Sequence, residues 1–331
     1  MRNDYLISAI DTHTGGAPTR IIYDPILMNV RGKSIKEKQD VIRGEYDFIR
    51  KALMLEPRGY GEMTGAICTC PMTDGADYGL IFMDTSGYLN LCGHAIVGAA
   101  TAAFELGWVD PTRSEIKFDT VPGLVSVSGA IENGKVTETI MRDAASYSYG
   151  EMQLEYNGKM LAVDVAYCGN IFAILNALDF NIPPNAKHAS EWSILGRDIR
   201  DKLNQSSALG KLSSGRHVDI VEFSAPPDNP QADFKSIVIF GDGQVDREPC
   251  ATGTCAKMAC LSSKGKLNVG DVFVQESIIG TLAKAKVVDM AEVKGYKGIV
   301  PEIRYSVFVT GIHQFLIDNQ DPLKEGYVLP Y

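Results

Sequence analysis

The pattern of apolar and polar positions predicts a chain of many short strands with a few helices. Strand-like runs at residues 5–10 and 20–23 flank a glycine turn. Ser34 is spaced from Glu37 as in a capping box, and apolar residues then recur at helical intervals over residues 41–55. The chain is therefore expected to open with a strand pair followed by a single helix.

Two Asn-Gly pairs, Asn133-Gly134 and Asn157-Gly158, each stand between two strand-like runs and predict tight β-hairpins. This mixture of hairpins with few helices favours an α+β fold over a doubly wound parallel sheet. The hairpin strands are predicted at residues 124–131, 136–140, 152–156 and 160–165, further strands at 79–83, 218–223 and 271–275, and a helix at 191–203.

An internal repeat is the most informative feature of the sequence. Cys92 and Cys250 are each preceded by an Ile-Phe pair and followed, fifteen residues later, by a glycine. Each copy opens with Ala-Asp-aromatic, with a two-residue offset between the copies. The repeat predicts two similar domains, each with a strand, a turn, a cysteine at a helix N-terminus and a glycine after the helix.

Length and charge exclude several classes of protein. The 331 residues are roughly twice the length of one domain, which favours two domains. A net charge of −9 without a basic run argues against a nucleic-acid-binding surface. The N-terminal residues do not read as a signal peptide, and the most apolar stretch, at residues 94–104, is too short to span a bilayer. We therefore expect a soluble, cytoplasmic protein with no membrane or nucleic-acid partner.

The cysteines do not follow a disulfide or metal-binding pattern. They are odd in number, widely spread and contain no Cys-x-x-Cys motif, which favours a reducing compartment. No metal site is expected. The seven are Cys68, Cys70, Cys92, Cys168, Cys250, Cys255 and Cys260.

A helix N-terminus gives the two repeated cysteines a chemical role. Its unpaired N–H groups and the positive end of the helix dipole favour a thiolate and bind carboxylates. If two such ends face each other, an amino acid can bind with its carboxylate on the amides and its α-carbon between the sulfurs. One thiolate then removes the α-proton while the opposite thiol delivers another, which inverts the carbon without a cofactor.

Several motifs carry a resemblance to a known family. DTHTGG from Asp11, EPRG from Glu56, CGHA from Cys92, VDREPCATGT from Val245 and TGIHQFLIDNQDPLKEGY from Thr310 resemble the proline racemase family. That family also contains 4-hydroxyproline 2-epimerases and trans-3-hydroxyproline dehydratases. The resemblance implies a diaminopimelate-epimerase-like fold with two pseudo-symmetric, barrel-like domains, each around a central helix. It also implies an active site between the domains and a homodimer.

The resemblance assigns roles to residues at matching positions. Cys92 and Cys250 match the two acid/base cysteines. Cysteine at both positions favours the racemase and epimerase branches, because the dehydratase branch has serine or threonine at one of them. The remaining matches are substrate-binding positions: Gly93, His94, Ala251 and Thr252, whose amides hold the carboxylate, Asp246 with His94 near the amine, and Phe240 as an aromatic wall.

The chain departs from the family pattern around the pocket. Thr64 stands in place of a second aromatic wall, which leaves room and a hydroxyl that favour hydroxyproline or a larger substrate over proline. Ala251 and Glu248 stand where glycine and serine are usual, and Ala17 and Tyr60 replace glutamate and histidine. None of these positions is one of the paired cysteines.

The sequence therefore predicts a cofactor-independent racemase or epimerase that acts on proline or 4-hydroxyproline. A trans-3-hydroxyproline dehydratase and a catalytically silent amino-acid-binding protein remain alternatives. The expected partner is a small amino-acid substrate. The predicted domains cover residues 1–125 and 126–309, and residues 310–331 could return to the first domain.

Overall fold

The chain divides into two compact units in a computed structural model. The first unit contains Met1–Met141 and Ser306–Tyr331, and the second contains Arg142–Tyr305. The sequence placed the boundary at residues 125 and 126, which lie inside a strand of the first unit. The described parts of the chain are residues 5–142, 145–206, 209, 212, 216–293 and 295–329.

A mixed β-sheet forms the framework of the first unit. The strands follow the order β18-β1-β2-β3-β4-β6-β7-β8, with β5 beside β4 and with parallel pairs β2/β3 and β4/β6. They are β1 (Tyr5–Thr14), β2 (Ala17–Ile22), β3 (Thr64–Thr69), β4 (Tyr78–Asp84), β5 (Tyr88–Leu89), β6 (Glu115–Thr120), β7 (Gly123–Glu132), β8 (Lys135–Arg142) and, from the C-terminal segment, β18 (Val307–Ile317).

Four helices pack against this sheet. The first three connect β2 to β3, and their apolar residues share a buried core with Ile7 of β1 and Ile22 of β2. The fourth follows β5 and contacts β1, β2, β3, β7 and β18. It approaches β1 closely, because a Cβ on Gly98 would lie 2.6 Å from Thr12 Oγ1. The helices are α1 (Pro25–Met28), α2 (Ile35–Glu45), α3 (Asp47–Met54) and α4 (Gly93–Glu105).

The sheet of the second unit closes on itself. Its order is β9-β10-β11-β12-β13-β15-β16-β17, with β14 beside β13. The closure is made where Gly298 and Ile299 of the last strand pair with Tyr147 and Ser146 of the first. The strands are β9 (Ser146–Tyr156), β10 (Lys159–Cys168), β11 (Asn170–Asn176), β12 (Ile220–Ala225), β13 (Phe234–Phe240), β14 (Gln244–Val245), β15 (Val272–Glu276), β16 (Leu282–Val293) and β17 (Tyr296–Tyr305).

Helix α6 (Ala251–Ser263) lies inside this barrel. It contacts β9, β10, β11, β16 and β17, and its residues are buried without interruption from Ala251 to Cys260. Such all-round burial explains why its sequence shows no polar stripe. Helix α5 (Ala189–Gln205) instead packs on β12, β13 and β14, where Trp192 and Ile199 join the apolar core around Phe223.

The repeat seen in the sequence corresponds to a shared strand connectivity. Asp77 and Asp233 are equivalent, because each carboxylate accepts a hydrogen bond from a backbone N–H next to its strand. The donors are Lys117 N–H to Asp77 at 2.8 Å and Val274 N–H to Asp233 at 2.7 Å. Gly107 and Gly265 follow α4 and α6, each with φ of 70°, as the glycine C-cap predicted. Because the aspartates are equivalent, Phe82 matches Val238 and not Phe240, so the alignment of the two Ile-Phe pairs is wrong by two residues. The two extra residues of the second copy lie between β13 and Cys250.

Most local predictions are confirmed, with one correction. Both Asn-Gly turns have positive φ at each residue, which links β7 to β8 and β9 to β10. Ser34 Oγ accepts the Glu37 N–H at 3.1 Å. The prediction of a single helix from the Ser34 capping box to Leu55 is wrong, because Tyr46 leaves helical geometry with φ −126° and ψ 12°, which ends α2 and begins α3. No helix in the described ranges is long and apolar enough to cross a bilayer.

Candidate active site

Cys92 occupies the N-cap position of α4. Its backbone is extended, with φ −145° and ψ 107°, and its side chain makes no capping hydrogen bond. The Sγ atom lies 3.6 Å from both ring nitrogens of His94. Cys92 and His94 are each 8% exposed. The sulfur therefore has an imidazole beside it and the first amides of a buried helix next to it.

Local contacts of the first unit fix this helix start. The Thr14 hydroxyl, at the end of β1, donates to the His94 carbonyl oxygen at 3.1 Å. Thr64 begins β3, is 4% exposed and pairs in register with Asp84 of β4. The structure thus brings Cys92, Gly93 and His94 together at one helix end, with Thr64 on a neighbouring strand of the same unit.

Cys250 occupies the equivalent position of α6, but in a different backbone conformation. Its φ of 55° lies in the left-handed region that residues other than glycine rarely adopt. The preceding Pro249 carbonyl oxygen accepts hydrogen bonds from Thr254 Oγ1 at 2.9 Å and Gln275 Nε2 at 3.1 Å. The Cys250 sulfur lies 3.8 Å from Thr252 Oγ1. The surrounding structure holds this uncommon conformation in place, as is typical of functional sites.

Carboxylates surround the second cysteine. Burial, together with the negative charges of Asp246, Glu248 and Glu222, raises the pKa of the Cys250 thiol well above its usual range, although a hydrogen bond from the Gly253 N–H opposes this. The Cys250 side chain is therefore a thiol at neutral pH.

Glu248 also contacts the start of α6 directly. Its Oε1 accepts the Ala251 N–H at 3.2 Å, and its own N–H donates to Asp246 Oδ1 at 3.3 Å. Glu248 is 2% exposed and Asp246 8%. Burial, and after it the negative charge of Glu248, raises the pKa of Tyr305 far above its usual value. One amide at this helix end therefore has a carboxylate of the chain itself as its partner.

Phe240 stands at the end of β13 and is partly exposed. The second unit thus gathers Cys250, Ala251, Thr252 and Asp246 around one helix end, with Phe240 on the preceding strand. The sequence did not point to Glu222, and it noted Glu248 only as a departure. The available signal for Glu222 was a carboxylate inside an apolar strand run.

The other buried cysteines differ from these two. Cys68 lies within β3 and Cys260 near the end of α6, away from either helix start, and burial raises the pKa of both to about 12. Cys255 and Cys168 are fully buried in the core. This agrees with packing roles for these four residues.

Comparison with known proteins identifies the family. The family model described as proline racemase matches residues 9–328. A proline racemase of Clostridioides difficile is 39% identical over 98% of this chain and 98% of its own length. The chain belongs to the proline racemase family. It is therefore an isomerase of the racemase and epimerase type.

Two further relatives show how widely the similarity extends within the proline racemase family. A 4-hydroxyproline 2-epimerase of Streptosporangium roseum is 35% identical over 99% of this chain and all of its own length. A hydroxyproline epimerase of Agrobacterium vitis, solved with bound trans-4-hydroxy-L-proline, superposes with a TM-score of 0.86. It covers 98% of this chain and 95% of the other at 23% identity. The solved structure supports the fold, and the sequences support the family.

Proposed function

We propose that this member of the proline racemase family inverts the α-carbon of proline or 4-hydroxyproline, with Cys92 and Cys250 as paired acid and base. The observation that carries the proposal is the placement of a cysteine at the start of a buried helix in each unit. The names of the relatives cover both substrates. The diaminopimelate-epimerase-like relation of the units stays a prediction.

Proton transfer at both faces of the α-carbon accounts for inversion. In one direction the Cys92 thiolate takes the α-proton, so that an S–H bond forms while the C–H bond breaks and its electron pair spreads into the carboxylate. The Cys250 thiol then gives its proton to the opposite face and becomes the thiolate. The next turnover in this direction requires proton exchange that restores the starting forms, whereas the reverse reaction begins from the forms just produced.

Helix amides stabilise the negative charge that this reaction creates. We assign the N–H groups of Gly93 and His94 on α4, and of Ala251 and Thr252 on α6, to the substrate carboxylate. Amides at a helix start have no partner within the helix and are fixed in direction, so they stabilise a developing oxyanion with little reorganisation. Removal of the α-proton is the step with the largest barrier, because the α-proton of an amino acid is weakly acidic.

The remaining assignments concern the amine and the ring. His94 and Asp246 carry the polar atoms that we assign to the substrate amine. Phe240 is assigned to one wall of the ring pocket and Thr64 to the position of a second wall. A threonine hydroxyl there offers a hydrogen bond to a ring substituent, which favours 4-hydroxyproline.

Proton NMR in heavy water tests this function. L-proline and trans-4-hydroxy-L-proline are incubated separately with the reduced protein, and the α-proton signal is followed. Loss of that signal with formation of D-proline or the cis epimer supports the proposal and chooses between the substrates. A keto acid or cyclic imine from trans-3-hydroxy-L-proline would instead indicate a dehydratase. Thermal stabilisation by proline without any exchange would indicate a binding protein.

A further inference from the structure

We propose that Glu222, buried beneath the start of α6, is a positioning residue that acts through Cys250 and keeps it in the protonated, proton-donating form. The inference rests on the role given to Cys250 above. Glu222 does not belong to the substrate-binding residues assigned from the resemblance. It lies on β12 in the interior of the second unit and is completely buried.

Gly253 brings this carboxyl group close to the cysteine. A Cβ on Gly253 would lie 2.8 Å from Glu222 Oε2 and 3.2 Å from Cys250 Sγ. Both atoms therefore approach the same bare patch of helix backbone, and any side chain at Gly253 would separate them. Glycine at this position lets the carboxyl group and the sulfur interact across the helix surface.

Neighbouring groups hold Glu222 near the midpoint of its titration. Gln275 Nε2 donates to Glu222 Oε1 at 3.5 Å, and the charge of Lys257 on α6 attracts the carboxylate. Burial opposes ionisation more strongly, so that the pKa of Glu222 rises to about 7. Near neutral pH the residue therefore exists in both charge states.

The ionised form of Glu222 adds to other negative charges around Cys250. Asp246 and Glu248 precede α6 and act on the thiol in the same direction, and Tyr305 of β17 interacts with Glu248. Glu222 differs from those two carboxylates because it approaches from the barrel interior. Its titration changes the charge next to the sulfur without altering a group assigned to the substrate.

The first unit provides an internal comparison. Glu222 pairs with Val238, which lies four residues after the aromatic residue of the repeat, and Ala66 pairs with the equivalent Phe82. Ala66 therefore occupies the matching position beneath α4. Lys257 corresponds to Ala99, because each lies seven residues after the cysteine of its copy. Gln275 corresponds to Phe118, because each pairs with the aromatic residue that opens its repeat strand, Phe234 or Tyr78.

All three matching residues of the first unit are buried and apolar. The same strand connectivity thus forms with Ala66, Ala99 and Phe118 in place of a carboxylate, an ammonium and an amide. Because burial of such polar groups opposes folding, the cluster of Glu222, Lys257 and Gln275 is a feature of the second unit that the fold itself does not need. The two cysteines are therefore in different electrostatic environments.

Alkylation of each cysteine as a function of pH tests this inference. Only the thiolate reacts with iodoacetamide, so the initial rate at Cys250, measured by peptide mass spectrometry, reports its ionisation. In Glu222→Gln the rate at Cys250 is expected to rise roughly tenfold at about pH 8, where Glu222 is ionised in the parent protein. At about pH 6, where Glu222 is protonated, the two proteins should react at similar rates.

Three controls make the result specific. Cys92, in the other unit, should show the same profile in both proteins. Glu155→Gln removes an exposed carboxylate of β9 and should leave Cys250 unchanged. Glu222→Ala introduces the residue found at the equivalent position, Ala66, and replaces the glutamine variant in the test if that variant does not fold. Circular dichroism shows whether each variant is folded. An unchanged Cys250 profile, or an equal change at Cys92, would overturn the inference without touching the assignment of Cys250 as a catalytic residue.

Discussion

The Glu248 carboxylate accepts a hydrogen bond from the Ala251 N–H, with 3.2 Å between Oε1 and the nitrogen. That N–H is one of the amides assigned to the substrate carboxylate in the proposed mechanism. A substrate carboxylate at α6 therefore competes with a carboxylate of the chain itself. The resemblance to the family pattern implies serine at this position, and a serine side chain carries no charge.

Replacement of Glu248 should strengthen binding of the substrate carboxylate. Glu248→Ser removes the competing charge and leaves the Ala251 N–H available. We expect KM for L-proline to fall roughly tenfold, the effect of one charge-assisted hydrogen bond. Initial-rate kinetics measure this, and Glu248→Gln, which keeps an acceptor without a charge, should give an intermediate value. A KM that is unchanged or higher in the serine variant would show that Glu248 does not compete with the substrate carboxylate.

The hydroxyl of Thr64 should matter for a hydroxylated ring. Thr64→Val keeps the shape of the side chain and removes one hydrogen-bonding group. We expect KM for trans-4-hydroxy-L-proline to rise about three- to tenfold, with KM for L-proline nearly constant. Equal changes for both substrates would mean that Thr64 supports the strand and does not contact the ring.

Ligand protection should locate the reactive cysteines at the substrate site. Iodoacetamide is expected to inactivate the protein, and pyrrole-2-carboxylate, a planar mimic of the deprotonated substrate, should slow this reaction. Cys70 is exposed and will also react, so Cys70→Ser serves as the control that retains full inactivation. Inactivation at the same rate with and without the mimic would argue against a site that binds a planar carbanion.

Glu222 should also make stability depend on pH in a defined direction. Burial raises the pKa of Glu222 in the folded protein to about 7, above its pKa in the unfolded chain. At pH values between these two pKa values, the folded protein binds the Glu222 proton more tightly than the unfolded chain does. The corresponding stability is complete at acid pH and lost as pH rises to about 7. At about pH 8 we expect this loss to be on the order of 3 kcal/mol and to be absent in Glu222→Gln.

Urea unfolding at several pH values measures this difference. The free energy of unfolding of the parent protein should fall, relative to that of the glutamine variant, between about pH 5 and pH 8. A difference that does not change with pH would show that Glu222 keeps the same charge throughout this range.

The sequence predicted those parts of the fold that depend on local signals. The tight turns at Asn133-Gly134 and Asn157-Gly158 require a positive φ at both residues, and asparagine and glycine are the residues that adopt it most easily. The helix break at Tyr46 was not predicted, since the apolar repeat continues through it. The sequence analysis allowed residues 310–331 to return to the first domain, but the register of β18 against β1 joins distant parts of the chain and no local pattern encodes it.

In the candidate site, too, the sequence predicted only the residues that local signals mark. Cys92 and Cys250 could be identified because the repeat and the motifs mark them, and the structure places both at helix N-termini. The contacts of Glu222 could not be predicted, because they depend on the strand β12 lying under Gly253 of α6. The neighbours of a buried carboxylate are determined by the tertiary structure, so they cannot be predicted from local sequence.

Inversion of the α-carbon should require both Cys92 and Cys250, and single variants in heavy water test this requirement. Cys92→Ser, Cys250→Ser and the control Cys255→Ala, which changes a buried cysteine of the same helix α6, are incubated with the active substrate. Proton NMR follows α-proton exchange, and chiral analysis follows the product. We expect the control to invert the substrate and neither serine variant to do so, although one half-reaction of proton exchange can persist. Full inversion by either serine variant would contradict this requirement.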